Sequence, residues 1–294
     1  VLAGRRGEDL AHDHFRHLLG CDAGALQYLA DDKRAKFEVI GQARLVITNA
    51  VSVHEDNAQI LVHPVSMIAT DRAVICLIDP TPDFNPAQLL VEKQEVIAQG
   101  GIEAAVQTVI AAAIRTYEEA LRWLEDSSDE LANVLFEERP LNKPEQLRAF
   151  KLRSALSQLR RLTEPMRTVM RDIVDSPPQG RKGKAGRDPA IGRHWVMLAE
   201  QHDRVANAAD ALREALSSIF DTSLALADVR MNQIMKKLSG WAAIIAVPTL
   251  VTSFVGMNVG FPLHNSGIGF WVYFLLMITS SVVLYLIFRA RDWL

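Results

Sequence analysis

Cysteine is almost missing from this chain: Cys21 and Cys76 are its two thiols in 294 residues, in unrelated contexts and without a Cys-x-x-Cys spacing. That excludes a disulfide framework and a thiolate cage. It fits a reducing compartment, with both thiols buried and inert. A phosphate-cradling loop is missing as well, since Gly180-Arg-Lys-Gly-Lys184 lacks the Gly-x-x-x-x-Gly-Lys-Ser/Thr spacing. The largest absence is of charge. From Leu238 to Phe288, 51 consecutive residues contain no Asp, Glu, Lys or Arg. A run of that length is improbable in a soluble core, where its bland counterpart is a buried helical hairpin, and it leaves room for two membrane spans with a tight loop between them.

The predicted spans are 238–255 and 270–288, and the loop 256–269 is rich in Gly, Pro and Asn. Arg230, Lys236 and Lys237 precede the first span and Arg289 and Arg291 follow the second. The positive-inside rule therefore puts both flanks, and with them both termini, in the cytoplasm. The charges of the whole chain number 32 basic against 35 acidic. A near-balance of that kind does not suggest a nucleic-acid binder.

A second pattern lies on the first span. Steps of seven back from Gly256 meet Thr249, Ala242, Met235, Asp228 and Asp221, and the companion positions are Ser253, Ala246, Ser239, Asn232 and Ala225. This stripe is small or polar throughout, on a helix whose other faces are Ile, Leu, Val and Trp. Small residues suit close helix packing; hydroxyls and an amide at depth, continued by two carboxylates, also suit the lining of a wet pore. One helix cannot enclose a channel, so the pore reading requires a ring of identical chains.

Arg230-Met-Asn-Gln-Ile-Met-Lys236, then Pro248-Thr-Leu250, Gly256-Met-Asn258, and a second span ending in Arg289-Ala-Arg-Asp-Trp-Leu294 together resemble the CorA family of divalent-cation (magnesium) channels. The resemblance covers nearly the whole chain. It implies an α+β cytoplasmic domain followed by a long stalk and pore helix and a second transmembrane helix, a two-span membrane protein assembled as a homopentamer in the plasma (inner) membrane. It also implies transport of Mg2+, with cobalt or nickel as further cargo, and no enzymatic activity. The family's selectivity filter falls on Gly256, Met257 and Asn258. Magnesium sheds its octahedral water shell reluctantly, so a ring of neutral Asn258 oxygens can hydrogen-bond the hydrated ion. Gly256 is expected to let the chain turn off the helix, and Met257 to pack or present its carbonyl. Ser253 and Thr249 become polar rungs. Ala246, Ala242, Leu238 and Met235 form a narrow apolar section able to gate by dewetting, and Asn232, Asp228 and Asp221 line the cytoplasmic mouth. The membrane potential alone gives a divalent ion about 4.6 kcal/mol per 100 mV on entry, so no nucleotide partner is needed.

Departures from the family pattern are visible. Val255 stands where Tyr is common, and 260–265 carries no carboxylate. At a stalk position where the family places an acidic cation sensor the chain has Met197, with Glu200 and Asp203 nearby. Candidate regulatory metal ligands are therefore Asp221, Asp228, Glu200 and Asp203, with Mg2+ as the regulatory ion. A zinc transporter of the same fold is the alternative, weakened because His264 is the one imidazole near the mouth and Met235 the one sulfur on the inner stripe. A membrane-anchored scaffold has no need of the stripe.

The predicted domains are an N-terminal cytoplasmic α/β domain over 1–189, a stalk helix over 190–237, the two spans and their loop, and a basic terminus over 289–294. Within the first, Glu8–Leu19 is an amphipathic helix with His12, His14 and His17, of which His12 and His14 diverge by about 200° and cannot share one small ion. Lys36–Ile40, Arg44–Val53, Gln59–Met67 and Ala73–Ile78 are β-branched, punctuated by Gly41, Asp56-Asn57 and Asp71, and predict antiparallel strands. Pro86–Gln99, Gly101–Glu138 and Glu145–Asp175 predict helices, the second ending in the acidic group Glu125, Asp126, Asp129, Glu130, Glu137 and Glu138. From Ala190 helical periodicity continues into the first span, roughly 65 residues or about 100 Å of helix, far more than a bilayer's thickness.

Overall fold

The computed structural model describes residues 2–5, 34–40, 43–70, 73–78, 84–176, 189–257, 260, 266–291 and 293. The expected helix with His12, His14 and His17, as well as Cys21, Asn258 and His264, lies outside the described residues. The chain divides into two compact units: Val1–Phe136 with Leu141–Phe220, and Glu137–Pro140 with Asp221–Leu294.

Five strands form the sheet of the first unit among the described residues: β1 (Leu2–Arg5), β2 (Lys36–Ile40), β3 (Ala43–His54), β4 (Gln59–Ala69) and β5 (Val74–Ile78). Their order is β1-β5-β4-β3-β2. β2 to β5 run antiparallel in sequence, whereas β1 joins β5 in parallel, with Leu2 opposite Ile75. The long β3–β4 hairpin is closed by a 3-10 turn over Glu55–Asn57, after which Ala58 takes a left-handed φ of 52°. Alternation along β3 sends Val46 and Ala50 to one face and Leu45 and Ile47 to the other, and all four are buried.

Helices follow the sheet. α1 (Pro86–Glu92) starts at an Asn85 cap and stops at Lys93, seven residues short of the helix expected to reach Gln99. α2 (Gln94–Phe136) carries a break at Gly101, whose φ of 67° and ψ of −148° are closed to side-chain-bearing residues. α3 (Lys143–Asp175) begins with a full capping box: the Glu145 amide donates to the Asn142 side chain at 3.0 Å, and the Asn142 amide donates to the Glu145 carboxylate at 2.7 Å. α4 runs unbroken from Pro189 to Val255, 67 residues, and α5 from Gly267 to Ala290 under a Ser266 cap.

One core joins the sheet to the helices. Val46, Val65, Met67 and Cys76 meet Val109, Ile110, Ala113 and Ile114 of α2, Met166 and Met170 of α3, and Trp195 and Leu198 of α4. A second core, purely helical at its far end, joins Tyr117, Leu124, Leu131, Leu152, Leu159, Val205 and Leu216. The first 28 or so residues of α4 thus belong to the folded unit as core-forming helix, at about 25 cal/mol for each Å2 of apolar surface removed from water.

Candidate ion pathway

Three described helices are long and apolar enough to cross a membrane: α2, α4 and α5. Burial separates them, since the apolar window of α2 is 44% buried inside the protein while those of α4 and α5 are 6% and 0% buried. The apolar face of α2 is already used by the sheet. Among the described residues nothing covers most of α4 beyond Leu238 or of α5, where Leu250, Phe254, Phe270, Trp271 and Leu275 all stand exposed.

Within the second unit each of these helices has one partly covered face. On α4 it holds Gly240, Ala243, Ile244, Val247, Pro248, Val251 and Val255; on α5 it holds Gly269, Tyr273, Met277, Ser280, Leu284 and Phe288. At about 100° per residue the covered face of α4 points opposite to Met235, Ala242, Ala246, Thr249 and Ser253. Every member of the predicted stripe, from Asp221, Asp228 and Asn232 through Leu238 to Gly256 and Met257, is exposed. Sequence periodicity could find the stripe; only the structure shows that the chain turns it away from its own contacts.

The upper part of the stripe has distinct chemistry. The Thr249 hydroxyl donates to the Ile245 carbonyl at 2.8 Å and the Thr252 hydroxyl to the Thr249 carbonyl at 3.0 Å. With their protons used inside the helix, these oxygens keep lone pairs directed outward, where they can accept from water. Pro248 interrupts the helix ladder, because it has no amide to give to Ile244. At the end, the Gly256 amide still bonds Thr252 at 2.9 Å and the Met257 amide closes a tighter turn on Phe254 at 3.2 Å. Gly256 is not in the left-handed region, and a Cβ there would lie 3.2 Å from the Thr252 carbonyl oxygen. α4 ends at Val255, so Gly256 is the first residue beyond the helix, and its lack of a side chain spares the turn a tight contact with the Thr252 carbonyl.

The candidate regulatory residues divide between the units. Glu200 and Asp203 sit on the exposed side of α4, and the Asp203 carboxylate lies 3.4 Å from the Arg167 guanidinium. That cation already balances Asp203 and would compete with a metal. Asp221 and Asp228 are exposed and have no ion pair within the described chain. The acidic group at the end of α2 is partly neutralised, with Glu130 paired to Arg148 and Glu137 to Arg139. Among the described residues no group of three or more His, Cys, Asp or Glu converges.

Sequence reasoning missed two buried polar nodes in the first unit. Glu103 of α2 takes Arg44 of β3 on one carboxylate oxygen and the Trp195 indole N–H on the other at 3.0 Å. His202 of α4 is fully buried against Tyr117, with Nε2 at 2.8 Å from the Thr163 carbonyl. A carbonyl only accepts, so Nε2 carries the proton and Nδ1 is left as a bare acceptor without a partner. Burial lowers the His202 pKa from 6.5, opposed by the Thr163 carbonyl. Both nodes rest on single polar residues inside apolar helix faces, a pattern with no distinguishing spacing. Burial also pushes the Cys76 thiol up to about 12, as expected of an inert core cysteine.

Residues 7–290 match the family model described as CorA-like Mg2+ transporter protein. Over 83 residues the chain is 41% identical to the cobalt/magnesium transport protein CorA of Methanocaldococcus jannaschii, covering 28% of this chain and 26% of that protein. Over 269 residues it is 22% identical to the cobalt/magnesium transport protein CorA of Thermotoga maritima, covering 89% of this chain and 73% of that one. The fold matches the complete structure of the CorA magnesium transporter from M. jannaschii with a TM-score of 0.78 at 21% identity, over 99% of this chain and 90% of the other. With the family model matched over nearly its whole length, the chain belongs to the CorA-like Mg2+ transporter family.

Proposed function

We propose that this chain forms a channel-type transporter that carries Mg2+, with Co2+ as a second cargo, into the cell down the membrane potential. The observation that carries the proposal is the orientation of α4: its small and polar stripe faces away from its covered side and is exposed along its whole length. In hydrocarbon such hydroxyls need partners or water. A ring of α4 helices, five in a homopentamer, supplies both by turning the stripes toward a common axis. α4 from Leu238 and α5 are then the two spans, and the charged flanks keep both termini in the cytoplasm. Asn258 selects the hydrated ion by accepting hydrogen bonds from its water shell, with Gly256 and Met257 shaping the ring. Ser253 and Thr249 hand the ion down, and Ala246, Ala242, Leu238 and Met235 form the dewetting constriction.

The test is uptake into proteoliposomes under a fixed potential, measured in parallel for Mg2+, Co2+ and Zn2+. Potential-driven Mg2+ and Co2+ entry is the expected outcome. Entry of Zn2+ alone would replace the reading with a zinc transporter, and entry of none, by a protein of pentameric mass, would leave a scaffold.

A further inference from the structure

The first unit holds a cavity of about 430 Å3 between the start of α2, the end of α1 and the first turn of α4. Its floor is apolar, with Leu89, Val96, Ala104, Ala111, Ala112 and Ile191. Its rim carries Lys93, Arg115 and His194, and among the described residues no carboxylate lines it. Four arginines of this unit are held in ion pairs: Arg44 on Glu103, Arg148 on Glu130, Arg160 on Asp210 and Arg167 on Asp203. Lys93, Arg115 and His194 are exposed and make no ion pair or side-chain hydrogen bond among the described residues. Two neutral polar groups of the lining are hydrogen-bonded to the backbone. The Gln107 amide donates to the Ile191 carbonyl at 2.9 Å, and the Thr108 hydroxyl to the Ala104 carbonyl at 2.7 Å.

Glycine shapes this wall. Gly100 lines the cavity, and a Cβ there would come within 2.6 Å of the Ala104 side chain. Next to it Gly101 breaks the helix direction, so that the α2 segments on either side of the kink bound one recess.

We infer that this cavity is a binding site for an organic phosphate, its apolar body on the Leu89–Val96–Ile191 floor and its phosphate among Lys93, Arg115 and His194. The volume lies in the range of sites that hold a nucleotide-sized ligand. Two fixed cations and an imidazole suit a doubly charged tail better than a single carboxylate, and Arg115 can hold two phosphate oxygens at once. The site differs in kind from a phosphate-cradling loop: side chains, not a glycine-rich backbone, meet the phosphate. It amends the expectation of a chain without nucleotide-class partners and is independent of the transport reading.

The test uses the full-length protein in detergent with excess EDTA, so that no metal bridges the ligand. Binding of ATP is measured by calorimetry beside inorganic triphosphate, adenosine and octanoate. ATP is expected to saturate at one site per chain and to bind at least tenfold more tightly than triphosphate or adenosine, weakening as salt rises. The double variant Lys93→Glu with Arg115→Glu, at two exposed positions, should lose at least tenfold in ATP affinity while keeping its oligomeric mass and its metal flux. Ala111→Trp, which fills the recess without changing charge, should lose a comparable factor. Absence of saturable ATP binding up to millimolar concentration overturns the inference. So does ATP binding untouched by both variants, or a site that takes octanoate and not ATP.

Discussion

The Trp195 indole N–H donates to Glu103 at 3.0 Å across the junction of α4 and α2, and the other oxygen of the same carboxylate holds Arg44 of β3. One anion thus joins the strand, the kinked helix and the start of the longest helix. Glu103→Ala leaves a largely buried guanidinium and a fully buried indole N–H without a partner. It should cost about 3 kcal/mol, within the range for breaking a buried charge pair. Glu103→Gln keeps an acceptor for Trp195 and should cost less. Thermal unfolding of the assembled protein orders the three: wild type, Gln, Ala. Equal midpoints would show that the junction does not depend on this carboxylate.

His202 gives the fold a pH dependence of definite sign. Its folded pKa lies below the 6.5 of the exposed group because burial disfavours the imidazolium. Toward it also face the Asp203 and Glu164 carboxylates, which raise that pKa, and Arg167, which lowers it. Above the unfolded value both states are neutral and the contribution is complete. As pH falls below 6.5 the unfolded chain takes up a proton that the folded chain refuses, and stability drops by about 1.4 kcal/mol per pH unit until the folded pKa is reached. The unfolding midpoint should therefore fall between pH 7 and pH 5.5, and His202→Gln should make that fall shallower. An unchanged slope in the variant would assign the dependence to other groups.

At the proposed filter, Asn258→Ala removes the side-chain acceptor and should abolish selective Mg2+ uptake in proteoliposomes while the oligomer keeps a five-chain mass. Intact uptake by a correctly assembled variant would move the filter elsewhere.

Asp221 and Asp228 would bring ten carboxylates to one axis in a five-fold ring, where repulsion disfavours the ring unless cations occupy it. Internal Mg2+ should then favour the closed stalk and suppress flux, and Asp221→Asn with Asp228→Asn should remove that response. With Met197 at the position of an expected acidic sensor and Asp203 held by Arg167, the feedback should be weak. Flux measured against internal Mg2+ for both proteins decides the point, and an equal response would absolve these carboxylates.

Much of the fold was legible because its signals are local. β2 to β5 are β-branched runs between turn residues, and α3 announces itself through Asn142, Pro144 and Glu145. β1 was not, since Leu2-Ala-Gly-Arg5 has no β-branched residue and its partner β5 is some seventy positions away. The α1 stop at Lys93 has no Gly or Pro to mark it. Ser266 extends α5 three residues before the expected start because its hydroxyl accepts the Gly269 amide at 3.1 Å. The stripe on α4 was legible from spacing; the cationic recess beside Gly101 was not, because Lys93, Arg115 and His194 come together only through the kink.

Pro248 gives α4 one missing rung in an otherwise continuous ladder. A rod with a single weakened joint does not share a bending load evenly: most of the strain collects at that joint, here the turn from Ile244 to Pro248. Torque applied along the helix would be absorbed between Ala242 and Thr249, and the segment from Thr249 to Met257 would tilt as a stiff lever, keeping its own hydrogen bonds.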